Sequence, residues 1–137
     1  MRFMLLMYPG AKAETGGLPD EKTIGAMMKF NEELTRAGVL LALDGLQPTS
    51  KGARVRFRGG KPTVSDGPFA EAKELVGGYW MIQVKSREEA IEWVKRCPAS
   101  DDEMIEVRQV FEMSDFTHVS PEVAAAGEAI ANKIGQR

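Results

Sequence analysis

The run RFMLLMY, residues 2–8, constrains the fold more than any other stretch of the chain. Both of its alternating side-chain sets are apolar apart from Arg2: Phe3, Leu5 and Met7 on one side, Met4, Leu6 and Tyr8 on the other. A short run of this kind that stops at Pro9-Gly10 is typical of a strand inside a sheet. We therefore expect a fold built around a sheet, with residues 2–8 as an interior strand.

Helix signals follow at three places. Asp20 can cap a helix over 21–37, and Gly38 stands where a helix ends; its apolar face would carry Ile24, Met27, Met28 and Leu34. Ser86 and Glu89 form an S-x-x-E capping box that opens a second helix, which ends at Cys97-Pro98 and buries Ala90, Ile91 and Val94. Ser120-Pro121 open an Ala-rich third helix that runs to about 134, with Val123, Ile130 and Ile134 as its stripe.

Strand signals lie between these helices. Apolar or alternating runs predict strands at 39–47, 75–84 and 104–113, the last with Ile105, Val107, Phe111 and Met113 on one face. Residues 53–67, ARVRFRGGKPTVSDG, alternate charged with apolar side chains around Gly59-Gly60, which predicts a two-residue hairpin turn. Gly77-Gly78 indicates a bulge or a close backbone approach. The glycine-rich segment from Pro9 to Leu18 is expected to be a flexible connection.

In order, these elements are β-α-β, a hairpin, β-α-β and a terminal helix. Without the hairpin this is the split βαβ pattern of a ferredoxin-like α+β domain, with two helices on one face of an antiparallel sheet. The other face would carry either Tyr79 and Met81 or Trp80 and Ile82, depending on the register of the strand. Because these apolar side chains need to be covered, we predict a homodimer in which two sheets pack face to face. Residues 1–113 would form the domain. Residues 114–137 would form a linker and helix packed on the domain or on its dimer partner.

Composition excludes several classes of function. Lys plus Arg number 18 and Asp plus Glu 20, so a net charge of -2 gives no general attraction to nucleic acid or an anionic membrane. The opening apolar run is too short for a signal peptide, and no stretch approaches a membrane-spanning length. We expect a cytoplasmic protein.

Few residues carry the chemistry of a known type of catalytic or cofactor site. The chain has one cysteine, Cys97, interpreted as an inert thiol at a helix end, and one histidine, His118, interpreted as a solvated linker residue near Asp115. Metal-ligand spacings and nucleotide-binding fingerprints are absent from the sequence. We therefore expect no metal site and no cofactor.

The stretch SDGPFAEAKE, residues 65–74, is the strongest candidate for a functional loop. Asp66 could accept backbone hydrogen bonds as in an Asx turn, and Gly67-Pro68 stiffens the bend, so a rigid crossover that plugs Phe69 into the core explains much of it. Glu71, Lys73 and Glu74 are less well explained by bending; they could rim a cleft, or could pair among themselves at the surface. Asp44 follows a strand in the same way, in LALDG.

Two further groups have both a structural and a functional interpretation. Arg54, Arg56, Arg58 and Lys61 on the hairpin could attract an anionic ligand or partner, or could simply keep its face solvated. Tyr79 could line a ligand pocket, or could belong to the core or to an interface.

The sequence resembles the DGPF branch of the YCII-related proteins. The resemblance rests on VSDGPFAEAKELVGGYWMIQV (64–84), EEAIEWVKRCP (88–98), IEVRQV (105–110), FMLLMY (3–8) and MMKFNEELTRAGVLLALDGLQPTS (27–50). It covers about residues 1–113 and implies a dimeric ferredoxin-like α/β barrel. In relatives, a first-helix histidine pairs with an aspartate, but the first helix of this chain has no histidine, so a histidine-dependent mechanism is not expected even if Asp44 is the family's acid.

The resemblance leaves two classes of function. The first is binding of a small polar molecule in a cleft beside the sheet, with Asp44 and Asp66 as candidate catalytic carboxylates of a lyase- or isomerase-like enzyme and Glu71, Lys73 and Tyr79 as ligand-binding candidates. The second is a non-catalytic dimeric module for regulation or protein binding, because DGPF proteins are often encoded beside alternative sigma factors. A purely architectural dimer is the third possibility.

Overall fold

The computed structural model describes residues 1–15 and 17–135. This part of the chain is a mixed α+β structure. Its strands are β1 Arg2–Tyr8, β2 Leu40–Gly45, β3 Ala53–Arg58, β4 Lys61–Asp66, β5 Gly78–Gln83 and β6 Met104–Gln109. Its α-helices are α1 Ala11–Glu14, α2 Glu21–Arg36, α3 Arg87–Lys95 and α4 Pro121–Lys133. Single 3-10 turns lie at Thr49–Lys51, Ala72–Glu74 and Met113–Asp115.

Four strands form one antiparallel sheet in the order β2-β5-β1-β6. The predicted interior position of residues 2–8 is confirmed, since Leu5 pairs with Trp80 of β5 on one side and with Val107 of β6 on the other. The sheet is open, and within the described residues it does not close into a barrel.

One face of this sheet forms the core against α2 and α3. Phe3, Leu5 and Met7 of β1 and Trp80 and Ile82 of β5 are buried there, together with Phe30, Leu34 and Ala90 of the helices. The Phe30 and Trp80 rings meet edge to face at 5.8 Å between centroids. On the opposite face, Met4, Leu6, Tyr79 and Met81 are only half-buried in the single chain.

The stripe predicted for the first long helix is partly wrong. Leu34 is fully buried, and Phe30, which was not in the predicted stripe, is buried beside it. Ile24 and Met28 instead keep 43% and 53% of their surface exposed. Residues 27, 30 and 34 face the sheet, because they repeat at the three- and four-residue spacing of a helix face. The N-terminal half of α2 thus leaves apolar side chains uncovered.

The last strand is shorter than predicted. It ends at Gln109, and the backbone N–H of Val110 makes the final bond to Arg2, where β1 itself begins. Phe111 was expected on the core face, but it is 71% exposed and rests on Phe116. Beyond it α4 packs Gly127 against Met113, while its predicted stripe, Val123, Ile130 and Ile134, is exposed in the single chain.

The predicted hairpin is confirmed. β3 and β4 pair with Val55 opposite Val64, and the turn is Gly59-Gly60. Both glycines have positive φ, 56° and 77°, which is the backbone conformation of a type I′ turn.

The segment after β1 is not a plain flexible connection, because it contains the short helix α1. Its last residue, Glu14, accepts hydrogen bonds from the backbone N–H and the hydroxyl of Thr49, at 3.1 and 2.5 Å. Thr49 in turn accepts the backbone N–H of Phe69 at 3.0 Å through the same hydroxyl oxygen. One threonine therefore joins the connection after β1 to the SDGPF segment.

The bend at SDGPF follows from a backbone crossing. The N–H of Gly67 donates to the carbonyl of Gly52 at 3.0 Å, and the Gly67-Pro68 peptide bond is cis. A Cβ added to Gly67 would lie 1.7 Å from the carbonyl oxygen of Thr49. Only glycine fits this crossing.

The expectation that Phe69 enters the core is wrong. Its ring is half-buried under the guanidinium of Arg54, 3.8 Å from the ring centroid. The cation–π contact holds Phe69 at the base of the hairpin, outside the core between the sheet and the helices.

Replacing Gly67 by alanine should destabilise the protein. The new Cβ would collide with the Thr49 backbone, so the free energy of unfolding should fall by about 1–3 kcal/mol, the range for overpacking. Urea denaturation measures it.

Gly25→Ala is the matched control. Gly25 lies inside α2 and a Cβ there meets nothing within 4 Å, so alanine should raise stability by about 0.5–1 kcal/mol. Equal effects of the two substitutions would contradict the crossing as the reason for glycine at position 67.

Candidate functional site

Two of the predicted site residues lie side by side. Asp44 of β2 pairs with Tyr79 of β5, and the Tyr79 hydroxyl donates a hydrogen bond to Asp44 Oδ2 at 2.9 Å. This bond, and the nearby negative charge of Asp44, raise the pKa of the Tyr79 phenol. We call these two residues the Asp44–Tyr79 pair.

The Asp44–Tyr79 pair lies on the open face of the sheet. Successive side chains of a strand point to opposite faces, and Leu43 and Trp80, the neighbours of the pair, face α2. The carboxylate and the phenol therefore point away from the helices, onto the half-buried face that also carries Met81 and Leu6.

The other three predicted residues are not brought to this pair. Asp66 ends β4, and Glu71 and Lys73 lie in the segment that follows; all three are exposed. Within residues 1–15 and 17–135 their side chains make no described hydrogen bond or ion pair, so the Asx turn expected at Asp66 is not formed. Their roles in ligand binding stay predictions.

A pocket of about 350 Å³ lies between the N-terminal half of α2 and the adjoining ends of β2 and β5. Most of its lining is apolar: Met7, Pro19, Ile24, Met27, Met28, Leu43, Trp80 and Pro98. The polar members are Thr23, Asn31, Asp44, Tyr79 and Glu103. The pocket thus reaches the strand positions of the Asp44–Tyr79 pair from the opposite side of the sheet.

Asn31 is the polar residue that sequence reasoning missed. Its Oδ1 accepts the indole N–H of Trp80 at 2.8 Å. Because an indole nitrogen only donates, the amide NH2 of Asn31 is left as a donor, and it has no described partner in the part of the chain that the structure covers. Two features of the sequence could have indicated Asn31. It lies three residues after Met28 and four after Met27, so it shares their side of the helix, and a tryptophan buried against that helix needs an acceptor for its N–H.

Glycines allow the backbones to meet beside the pocket. A Cβ on Gly77 would lie 2.5 Å from Pro9 Cγ, and one on Gly78 would lie 3.0 Å from the carbonyl oxygen of Asp44. The predicted close approach at Gly77-Gly78 is confirmed. The irregularity in strand pairing lies instead in β2, between Leu40 and Ala42.

A second hollow, of about 290 Å³, lies between the C-terminal ends of α2 and α3. Arg96 there is already bound to Glu33 at 2.6 Å and lies 4.3 Å over the Trp93 ring. Its charge is thus paired within the chain. The pocket beside Asn31 is the better candidate because it is larger and bordered by a buried aromatic residue.

The cysteine and the histidine lie outside the pocket. Burial, and the nearby charge of Glu103, raise the pKa of the Cys97 thiol to about 11, so it is protonated near neutral pH. His118 is exposed in the segment before α4. Among the described residues, no group of three His, Cys, Asp or Glu side chains could hold a metal ion.

Comparison with known proteins assigns the chain to a family. The family model for the YCII-related domain matches residues 1–114. The chain belongs to the YCII-related family. An uncharacterized protein of Rhizobium meliloti (strain 1021) is similar to this chain, with 33% identity over 76 residues. That alignment covers 56% of this chain and 61% of the relative's length.

The match bears out the resemblance to YCII-related proteins. The finer placement in the DGPF branch stays a prediction from the motif. In the described residues, no helix is both long enough and apolar enough to cross a membrane.

The raised pKa of Tyr79 can be tested by titration. The chain has two tyrosines, so Tyr8→Phe leaves Tyr79 as the only phenol. In that background Asp44→Asn should lower the Tyr79 pKa toward the ordinary value of about 10. A pH titration monitored by the absorbance of the tyrosinate anion measures this change. Because the pKa of Tyr79 is higher in the folded than in the unfolded chain, the hydrogen bond of the pair contributes its full share to the free energy of unfolding at pH values below the unfolded pKa. This contribution is lost as the pH rises through the pKa of Tyr79 in the folded protein.

Asp66→Asn is the control for this titration. Asp66 is not among the causes of the raised pKa, so its substitution should leave the curve in place. Identical curves for the Asp44 and Asp66 variants would contradict the pair.

Proposed function

We propose that this YCII-related protein binds a small molecule in the pocket between α2 and the sheet. The observation that carries the proposal is a volume of about 350 Å³ with a mostly apolar lining, in which one of the few polar groups, the amide of Asn31, is held in place by Trp80. Ligand pockets in proteins have this size and this mixture of many apolar groups and a few placed polar ones.

The lining refines the class of ligand expected from the sequence. A small polar molecule was predicted, but Ile24, Met27, Met28 and Trp80 favour a molecule with an apolar body. The free amide NH2 of Asn31 favours a hydrogen-bond acceptor on that body, such as a carbonyl or a carboxylate. The proposed ligand is therefore an aromatic or aliphatic compound with one acceptor group.

Binding, and not catalysis, is the function that the geometry favours. A lyase- or isomerase-like reaction with Asp44 as base would need the substrate on the open face, where the carboxylate already accepts the Tyr79 hydroxyl. The Asn31 amide is on the helix side of the sheet. The alternative of a non-catalytic regulatory module is compatible with ligand binding in this pocket.

We also propose the ferredoxin-like architecture and the homodimer. The strand order β2-β5-β1-β6 and the packing of α2 and α3 on one face support the former. The latter is supported by the half-buried apolar side chains Met4, Leu6 and Met81 on the open face, which a second sheet would cover.

Ligand binding can be followed through Trp80. The chain has two tryptophans, so Trp93→Phe leaves the indole in the pocket as the only one. Aromatic ketones and carboxylic acids such as acetophenone and phenylacetate are suitable probes, and a saturable change in Trp80 emission is the expected result.

Variants locate the binding. Ile24→Phe with Met28→Phe fills the pocket and should abolish the saturable change, because both residues line it. Ile130→Phe makes a comparable change on the exposed face of α4 and should leave the affinity unchanged. The proposal is wrong if no probe saturates, or if filled and control proteins bind alike.

A further inference from the structure

The pocket beside Asn31 extends across the end of the four-stranded sheet. Asp44 of β2, Gly78 of β5 and Met7 of β1 line it, and so does Glu103, which directly precedes β6. Neighbouring strands lie about 4.8 Å apart, so the distance from β2 to β6 across the sheet is about 14 Å. The pocket is therefore elongated, with the Asn31 amide beside β5 and Glu103 at the β6 end.

Glu103 is fixed in a tight turn before β6. Its Oε1 accepts the backbone N–H of Ser100, and its own N–H donates to the Ser100 carbonyl at 3.1 Å. Glu103 is half-buried, and within residues 1–15 and 17–135 its other carboxylate oxygen, Oε2, has no described partner. One oxygen is therefore left to accept a hydrogen bond at the border of the pocket.

The charge of Glu103 reaches the neighbouring wall of the pocket. Cys97 directly precedes the lining residue Pro98 and is itself half-buried. Burial, and after it the charge of Glu103, raises the pKa of the Cys97 thiol to about 11. A ligand at the β6 end would therefore meet a negative potential.

The N-terminus of α2 does not offset this charge. A helix N-terminus carries a partial positive charge, and Pro19 and Thr23 at this end line the pocket. The chain already supplies acids here, because the Asp20 carboxylate accepts the N–H of Thr23 at 2.8 Å and Glu21 lies in the first turn. The positive end of the helix is thus balanced within the chain.

Cationic side chains do not offset it either. Among the described residues that line the pocket, none is Lys, Arg or His. Lys22 and Lys29 of α2 are exposed and, by the 3.6-residue period of the helix, lie on the side opposite to Asn31. At the end of α3, Lys95 and Arg96 are each bound to a glutamate of the chain, at 2.9 and 2.6 Å.

We infer that Glu103 selects the charge of the ligand, which carries an ammonium group at the Glu103 end and a neutral carbonyl at the Asn31 end. The Asn31 NH2 donates to the carbonyl oxygen, and Glu103 Oε2 accepts from the ammonium N–H. A ligand carboxylate would also suit the Asn31 donor, but it would bring a second negative charge into a half-buried site. The ligand class is an amine with an apolar body and a ketone or amide carbonyl.

This inference rests on the proposed ligand binding and narrows the ligand to a cation. Asp44 is the other acid in the lining, but its carboxylate points to the open face of the sheet, where it accepts the Tyr79 hydroxyl. The preference for a cation therefore depends on Glu103 and not on Asp44.

Three probes that share an acetophenone body test the inference. They differ in the para substituent, which is an aminomethyl group, a hydroxymethyl group or a carboxylate. Isothermal titration calorimetry of the full chain should give 4-(aminomethyl)acetophenone a Kd about fivefold below that of the hydroxymethyl compound, because a charged hydrogen bond replaces a neutral one. The anion 4-acetylbenzoate should bind most weakly.

Glu103→Gln is the decisive variant. It removes the charge and keeps an amide oxygen for the Ser100 N–H, so the turn should persist. The Kd of the amine should rise about fivefold, to that of the hydroxymethyl compound. Glu122→Gln makes the same change at an exposed residue of α4 outside the pocket lining, and it should leave the preference for the amine unchanged.

Each result decides a different claim. If the hydroxymethyl compound binds and the amine binds no more tightly, the selection of a cation is wrong while ligand binding stands. If none of the three probes binds, the proposed function and the inference both fail. A preference for the amine that persists in Glu103→Gln, or in the filled pocket of Ile24→Phe with Met28→Phe, would place the amine elsewhere and overturn the role of Glu103.

Discussion

The hydrogen bond from the indole of Trp80 to Asn31 links the first long helix to the middle of the sheet. Trp80 is 6% exposed and its ring meets Phe30 edge to face, so the same side chain provides packing and direction. A buried indole N–H without an acceptor would cost free energy, which makes the amide of Asn31 part of the fold as well as part of the pocket. The position of α2 on β5 depends on this contact.

The space beside Asn31 follows from that position. α2 buries Phe30 and Leu34 on the sheet, while its first turns leave Ile24 and Met28 at the border of a pocket. Strand alternation then separates two kinds of chemistry. The pocket has an apolar lining on the helix side, and the Asp44–Tyr79 pair points to the face where a second sheet is proposed to pack. Ligand binding and assembly would use opposite sides of one sheet.

Local patterns in the sequence predicted the frame of this fold well. The apolar run at 2–8, the caps at Asp20, Ser86 and Ser120, and the Gly59-Gly60 turn each describe a short stretch whose geometry depends on its own residues, and each is found in the structure. The same holds for Gly77-Gly78, where two adjacent glycines in the sequence predicted that another segment of the chain lies too close for a Cβ.

What the sequence did not predict depends on contacts between distant residues. Glu14 reaches Thr49 across 35 positions, and Trp80 reaches Asn31 across 49, and no local pattern encodes either contact. The pairing of β6 stops at the residue where its antiparallel partner β1 begins, which is a property of the partner strand. Of the predicted site residues, Asp44 and Tyr79 meet because their strands are neighbours, whereas Asp66, Glu71 and Lys73 belong to a loop and hairpin that face solvent.

The central claim is that Asn31 holds Trp80, and with it the wall of the pocket. Comparing Asn31→Leu with Asn31→Asp by urea denaturation tests it most directly. Aspartate keeps an oxygen acceptor for the indole and should retain most of the stability, whereas leucine leaves the buried N–H unsatisfied and should cost about 1–3 kcal/mol. Equal stability of the two variants would contradict the account.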